Sequence, residues 1–164
     1  MDSLLNVDEQ VKLIKLGEMK MVGFPVIVAF KEGDFSKIDK TKQQFMERRN
    51  EILNVIDPNI YWAPWFSCDV MFTYFYCLQV SEWAEIPHGM MSFTIPEAEY
   101  AAVHYSGPHP MDPDPYDYLA IFRQKNNIEL KEKGMVLEKY RFDQNCEPGV
   151  KIALDVFGPI KSEI

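Results

Sequence analysis

Glu138 stands in a run where its neighbours call for an apolar side chain. Met135 to Asp143 alternates like a strand, and alternation puts residues two apart on one face. One face carries Leu137, Lys139, Arg141 and Asp143 and reads as solvated; the other carries Val136, Glu138, Tyr140 and Phe142. A carboxylate buried among such neighbours costs several kcal/mol unless something compensates it. Either an Arg, Lys or Tyr of the same chain satisfies it, or it is an acidic anchor at the floor of an aromatic pocket. The spacing leaves both open.

Rings that could wall such a pocket are plentiful. Tyr61, Trp62 and Trp65 follow the first expected helix, Tyr74 and Tyr76 share a strand face with Phe72, and Trp83 and Phe93 come later. Rings and one carboxylate suit a lipophilic cation, each cation–π contact contributing roughly 0.5–2 kcal/mol. A neutral ligand would leave the carboxylate uncompensated. Trp62 and Trp65 lie an odd number of positions apart and so face opposite ways; spacing does not say which points inward. Phe72 and Phe142 read as core. His104, His109 and Asp112 sit in a Pro-rich loop whose spacing fits no standard metal site, so no metal is expected. No Ser-His-Asp arrangement, nucleophile elbow or glycine-rich phosphate loop stands out, and no cofactor is expected.

The elements that must position these residues are written twice. Leu16 to Phe24 lines up with Ile95 to Val103, each a turn-like dipeptide and Glu leading into an apolar strand. Ser36 reads as an N-cap, and Ile38, Phe45, Ile52 and Ile56 make a helical stripe that Asp57-Pro58-Asn59 stops. In the second half Asp114 reads as N-cap and Pro115 as first helical residue. Tyr118, Leu119 and Phe122 make the inner face, and the helix fades near Asn126-Asn127. Each helix precedes two strands: Ile60–Phe66 and Val70–Val80, then Met135–Asp143 and Val150–Phe157 with a Pro148-Gly149 turn. This order predicts an α+β fold, a single domain over 1–164. Two pseudo-symmetric strand–helix–strand–strand repeats, about 11–80 and about 91–161, would form an antiparallel sheet with helices on one side. A central ligand groove is expected along the seam.

Bulk properties exclude several classes. The chain has 164 residues, 47% hydrophobic and 26% charged, which is ordinary globular composition with room for one core. Aromatic content of 13% is high, and a net charge of −8 argues against binding a phosphate backbone while favouring cationic ligands. Cys68, Cys77 and Cys146 form no CxxC pair and read as reduced thiols. No signal peptide and no membrane span is read, so a soluble cytoplasmic protein is expected.

Several motifs resemble one family in order. Ile86-Pro-His-Gly-Met90, Thr94-Ile-Pro96, Glu99-Tyr-Ala-Ala-Val103, Gly107, Leu137-Glu-Lys-Tyr140 and Gly158-Pro-Ile-Lys161 look like the GyrI-like small-molecule-binding domain, over roughly Val11 to Lys161. That domain is the effector-binding part of MerR-type and AraC-type multidrug-sensing regulators and also occurs freestanding. The resemblance implies a two-repeat sheet whose groove takes lipophilic aromatic cations through an aromatic cage and one glutamate. The family's glutamate falls on Glu138 and its tyrosine on Tyr140. No segment is left for a helix-turn-helix, so the expectation is a freestanding binding protein without direct nucleic-acid contact; a protein partner stays open. Some freestanding relatives hydrolyse cyclopropane-bearing genotoxins, so the alternative is a hydrolase with Glu138 as general acid or base and Tyr140 orienting water or leaving oxygen. Motifs alone do not transfer that activity.

Overall fold

The computed structural model describes residues 6–145 and 151–162. Cys146 and the expected Pro148-Gly149 turn lie outside the described residues. The elements are α1 (Val7–Gln10), β1 (Val11–Leu16), β2 (Met19–Ala29), α2 (Ser36–Arg48), β3 (Ile60–Trp62), β4 (Trp65–Ser67), β5 (Met71–Val80), β6 (Met91–Ile95), β7 (Ala98–Pro108), α3 (Pro115–Lys125), β8 (Leu137–Arg141) and β9 (Lys151–Pro159). The fold is α+β with antiparallel strand pairing. The chain divides into two compact units, Glu18–Pro96 and Met1–Gly17 with Glu97–Ile164.

In the Glu18–Pro96 unit the strands run β3-β5-β2-β6, with β4 also on β5. α2 covers one sheet face through Phe45, which is fully buried and whose ring lies 5.9 Å from Tyr61 and 6.2 Å from Tyr76. Gly23 allows β2 to close on β5: a Cβ there would lie 2.0 Å from the Tyr76 carbonyl oxygen. Three expectations are corrected. The run Ile60–Phe66 is two short strands, because Ala63-Pro64 interrupts it and Pro64 has no N–H to give a ladder. The helix stops at Arg48; Arg49–Glu51 tighten into a 3-10 turn and Ile52 is already extended, so Ile56, 55% exposed, is off the stripe. Ser36 is the first helical residue rather than the cap, and its N–H donates to the Asp34 carboxylate at 3.0 Å.

In the other unit the order is β1-β7-β9-β8. β1, first in the chain, pairs along its length with β7, from Val11 opposite Val103 to Leu16 opposite Ala98. In the same way β6, first of the second half, pairs with β2. Pairing therefore cuts across the sequence repeat at its first strand. Elsewhere the repeat holds in register: Met19 and Ala98 open β2 and β7, and Ser36 and Pro115 open α2 and α3 at the same separation. Tyr118, Leu119 and Phe122 of α3 are buried, with Leu119 over Gly158 of β9. β8 is shorter than expected, since Phe142–Gln144 turn into a 3-10 turn. Leu137, expected in solvent, is fully buried opposite Phe157.

Candidate functional site

Strand β8 supplies the central pair. Glu138 stands opposite Val156 and Tyr140 opposite Leu154, so a two-residue step along β8 puts carboxylate and phenol side by side. Val156 and Leu154 stand in turn opposite Val103 and Tyr105 of β7, and all six residues are buried. Glu138 is 7% exposed, the only buried charged residue among those described. The Tyr140 hydroxyl donates to its Oε1 at 2.7 Å, and the Tyr116 hydroxyl donates to its Oε2. The two phenols thus serve one carboxylate oxygen each. Tyrosines of the chain itself, one of the kinds of partner that the spacing left open, therefore hydrogen-bond the group. A phenol hydroxyl is a neutral donor.

Tyr116 comes from the first turn of α3, and local sequence fixes it there. Asp114 caps the helix by accepting the Tyr116 N–H at 2.9 Å, and Pro115 takes the first helical position. One short run, Asp114-Pro115-Tyr116, therefore starts the helix and aims a phenol at Glu138. The sequence pattern does not single out Tyr116, because the inner helical face it marks begins at Tyr118. The signal was there: Tyr116 precedes Leu119 by three and extends the same stripe one turn toward the N-terminus.

The remaining aromatic candidates belong to the Glu18–Pro96 unit and fall on two faces. Trp65 pairs with Tyr74, whose ring lies 5.2 Å from that of Tyr76. With Tyr61 these share the face that α2 covers. Trp62 pairs with buried Cys77, whose thiol donates to the Trp62 carbonyl at 3.5 Å, on the opposite face. Burial pushes the Cys77 thiol pKa up. Phe93 packs on Phe75 at 4.7 Å, again away from Tyr74 and Tyr76. Trp83 is 43% exposed; its indole N–H donates to the Met21 carbonyl at 3.4 Å, and the Lys20 ammonium lies 5.7 Å from its ring. So Trp65, Tyr61, Tyr74 and Tyr76 are brought together, and Trp62, Phe93 and Trp83 are not.

Other chemistry is thin among the described residues. No group of three or more His, Cys, Asp and Glu is placed to hold a metal ion. His104 Nδ1 lies 2.7 Å from the Asp155 carboxylate on an exposed face, whereas the Asp112 N–H donates to the Tyr105 hydroxyl. Among the described residues, no helix is long and apolar enough to cross a membrane.

The family model for integron-associated effector binding protein (Cass2) matches residues 12–159. Three solved structures are similar at low identity. SAV2435 bound to tetraphenylphosphonium is 13% identical with a TM-score of 0.70, over 93% of this chain and 94% of that one. The EcmrR C-terminal domain is 15% identical with a TM-score of 0.70, over 93% and 98%. A hydrolase from Listeria innocua is 10% identical with a TM-score of 0.58, over 93% and 92%. At these identities the likeness shows the fold, which agrees with the GyrI-like resemblance. No curated protein matches.

Proposed function

The chain belongs to the integron-associated effector binding protein family, and on that premise we propose that it binds lipophilic, cationic aromatic compounds at Glu138. The observation that carries this reading is the Glu138 carboxylate, buried to 7% exposure and held by the hydroxyls of Tyr116 and Tyr140. A charge kept out of water favours an incoming cation over a neutral molecule of the same shape. Two tyrosines lie beside the carboxylate, and each cation–π contact that a bound cation makes with such a ring adds roughly 0.5–2 kcal/mol. With apolar burial, micromolar affinity, about −8 kcal/mol, is within reach. SAV2435 carries tetraphenylphosphonium, a positive charge wrapped in four phenyl rings, which is the chemistry this arrangement suits.

A melting screen against cationic and neutral aromatics tests the reading. A ligand that prefers the native state stabilises it, by about 2.7 kcal/mol at one hundred times its Kd. Tetraphenylphosphonium should raise the Tm and triphenylphosphine oxide should leave it nearly unchanged. Equal shifts from both, or none, count against a charge-selective site.

A hydrolase is the second reading, favoured by a carboxylate in contact with two phenols, groups able to pass a proton to a bound water. The Listeria innocua hydrolase has this fold, but fold does not carry chemistry. Product formation from a strained cyclopropane ester, lost in Glu138→Gln while affinity survives, would select the enzyme.

A further inference from the structure

Strand alternation puts Tyr105 of β7 on the same sheet face as Val103, in the row that runs Tyr105, Leu154, Tyr140 across β7, β9 and β8. Its side chain is buried, and its hydroxyl serves the loop that follows the strand. The hydroxyl donates to the Pro108 carbonyl at 2.6 Å and accepts the Asp112 N–H at 3.1 Å. One oxygen therefore closes the loop 108–112, holding its first carbonyl and its last N–H. Gly107 leaves room for it: a Cβ there would lie 2.9 Å from that oxygen.

The loop has little else to hold it. From His109 to Pro113, the only hydrogen bond to any described residue is the one that the Asp112 N–H gives to Tyr105. An exposed segment tied at one point opens locally when that point is lost. Asp114 comes next and accepts the Tyr116 N–H, and the Tyr116 hydroxyl donates to Glu138. A continuous line thus joins the Tyr105 hydroxyl to the carboxylate through the loop, the helix cap and the first turn of α3. Tyr118, Leu119 and Phe122 bury the rest of α3, so the loop governs its first turn and not the whole helix.

We propose that Tyr105 is a positioning residue of the Glu138 site: by fixing loop 108–112 it keeps the first turn of α3 where Tyr116 meets the carboxylate. This rests on the reading of Glu138 as the anchor of a cation. It adds that the affinity depends on a hydroxyl that does not itself bond the carboxylate.

Tyr105→Phe removes the hydroxyl and keeps the ring. Amide exchange followed by NMR in the ligand-free protein, and calorimetric titration with tetraphenylphosphonium, read the consequence. Exchange at Tyr116 and Asp117 should speed up about tenfold, while Leu154 and Val156 of β9 keep their native rates. A general loss of stability would speed up both sets alike. Tetraphenylphosphonium should bind about three- to tenfold more weakly. In a Tyr116→Phe background the substitution should make no further difference, because the group it positions is gone. Gly107→Ala sets a methyl against the Tyr105 hydroxyl and should reproduce both effects with the phenol present, which keeps the test open if Tyr105→Phe does not fold. Unchanged exchange at Tyr116 overturns the proposal, whether or not a cation binds, and so does an equal loss of affinity in the Tyr116→Phe background. Failure of the native protein to bind tetraphenylphosphonium overturns the cation reading instead, and the exchange rates then decide whether Tyr105 places Tyr116.

Discussion

The Glu138 carboxylate accepts two phenolic hydrogen bonds, and hydrogen bonds to a charged group are the stronger kind, about 1.5–3 kcal/mol each. Tyr116→Phe or Tyr140→Phe removes one donor and leaves a carboxylate oxygen without its phenol. Each is expected to lower unfolding stability by about 1.5–3 kcal/mol in urea titration. A double substitution should cost more or less than the sum, since both act on one group. No loss in either single variant would mean that these hydroxyls do not hold the carboxylate. Sequence made Glu138 legible because a charge interrupted an apolar strand face, and it made Tyr140 legible because two residues separate them. Tyr116 escaped because it comes from α3, and linear spacing cannot show which side chains another element delivers. Leu137 was misread for a related reason. Alternation says that it faces away from Glu138, not that the far face is wet.

Elements differ in how much of their definition is local. α3 is set by adjacent residues, an Asp cap and a Pro at the first position, and its limits match the sequence reading. Asp114→Ala removes the acceptor of the Tyr116 N–H and should destabilise by about 0.5–2 kcal/mol. It should also weaken cation binding, because the turn that presents Tyr116 loosens. An affinity unchanged despite lost stability would separate the cap from the site. α2 has no such side-chain cap bond from its N-cap residue, Phe35, and its hydrophobic stripe runs past its hydrogen-bonded end. The stripe marked burial at Ile52, which is 5% exposed, but burial there continues without helix. In β8, Leu137→Ala would leave a cavity on the face opposite Glu138, at about 2–5 kcal/mol. Calorimetry should show that loss while the ligand's selectivity for charge is kept, since the carboxylate and its phenols lie on the other face.

Across the whole chain, composition and duplication gave the fold class, and the strand pairing gave what they could not. Short strands β1 and β6 each belong by sequence to one repeat and by pairing to the other half's long strand. A long-range choice of partner leaves no mark in local periodicity, so the repeat was readable and its exchange was not. A net charge of −8 favours any cationic ligand weakly and from a distance, an effect that salt screens. On the proposed function, selectivity comes instead from one buried carboxylate, which salt reaches poorly. The direct measurement is the ratio of affinities for tetraphenylphosphonium and triphenylphosphine oxide, by calorimetric titration, in the native protein and in Glu138→Gln. The native protein should prefer the cation by about tenfold or more, equivalent to about 1.4 kcal/mol, and the variant should lose that preference. A preference that survives intact in Glu138→Gln would place the selectivity elsewhere than at Glu138.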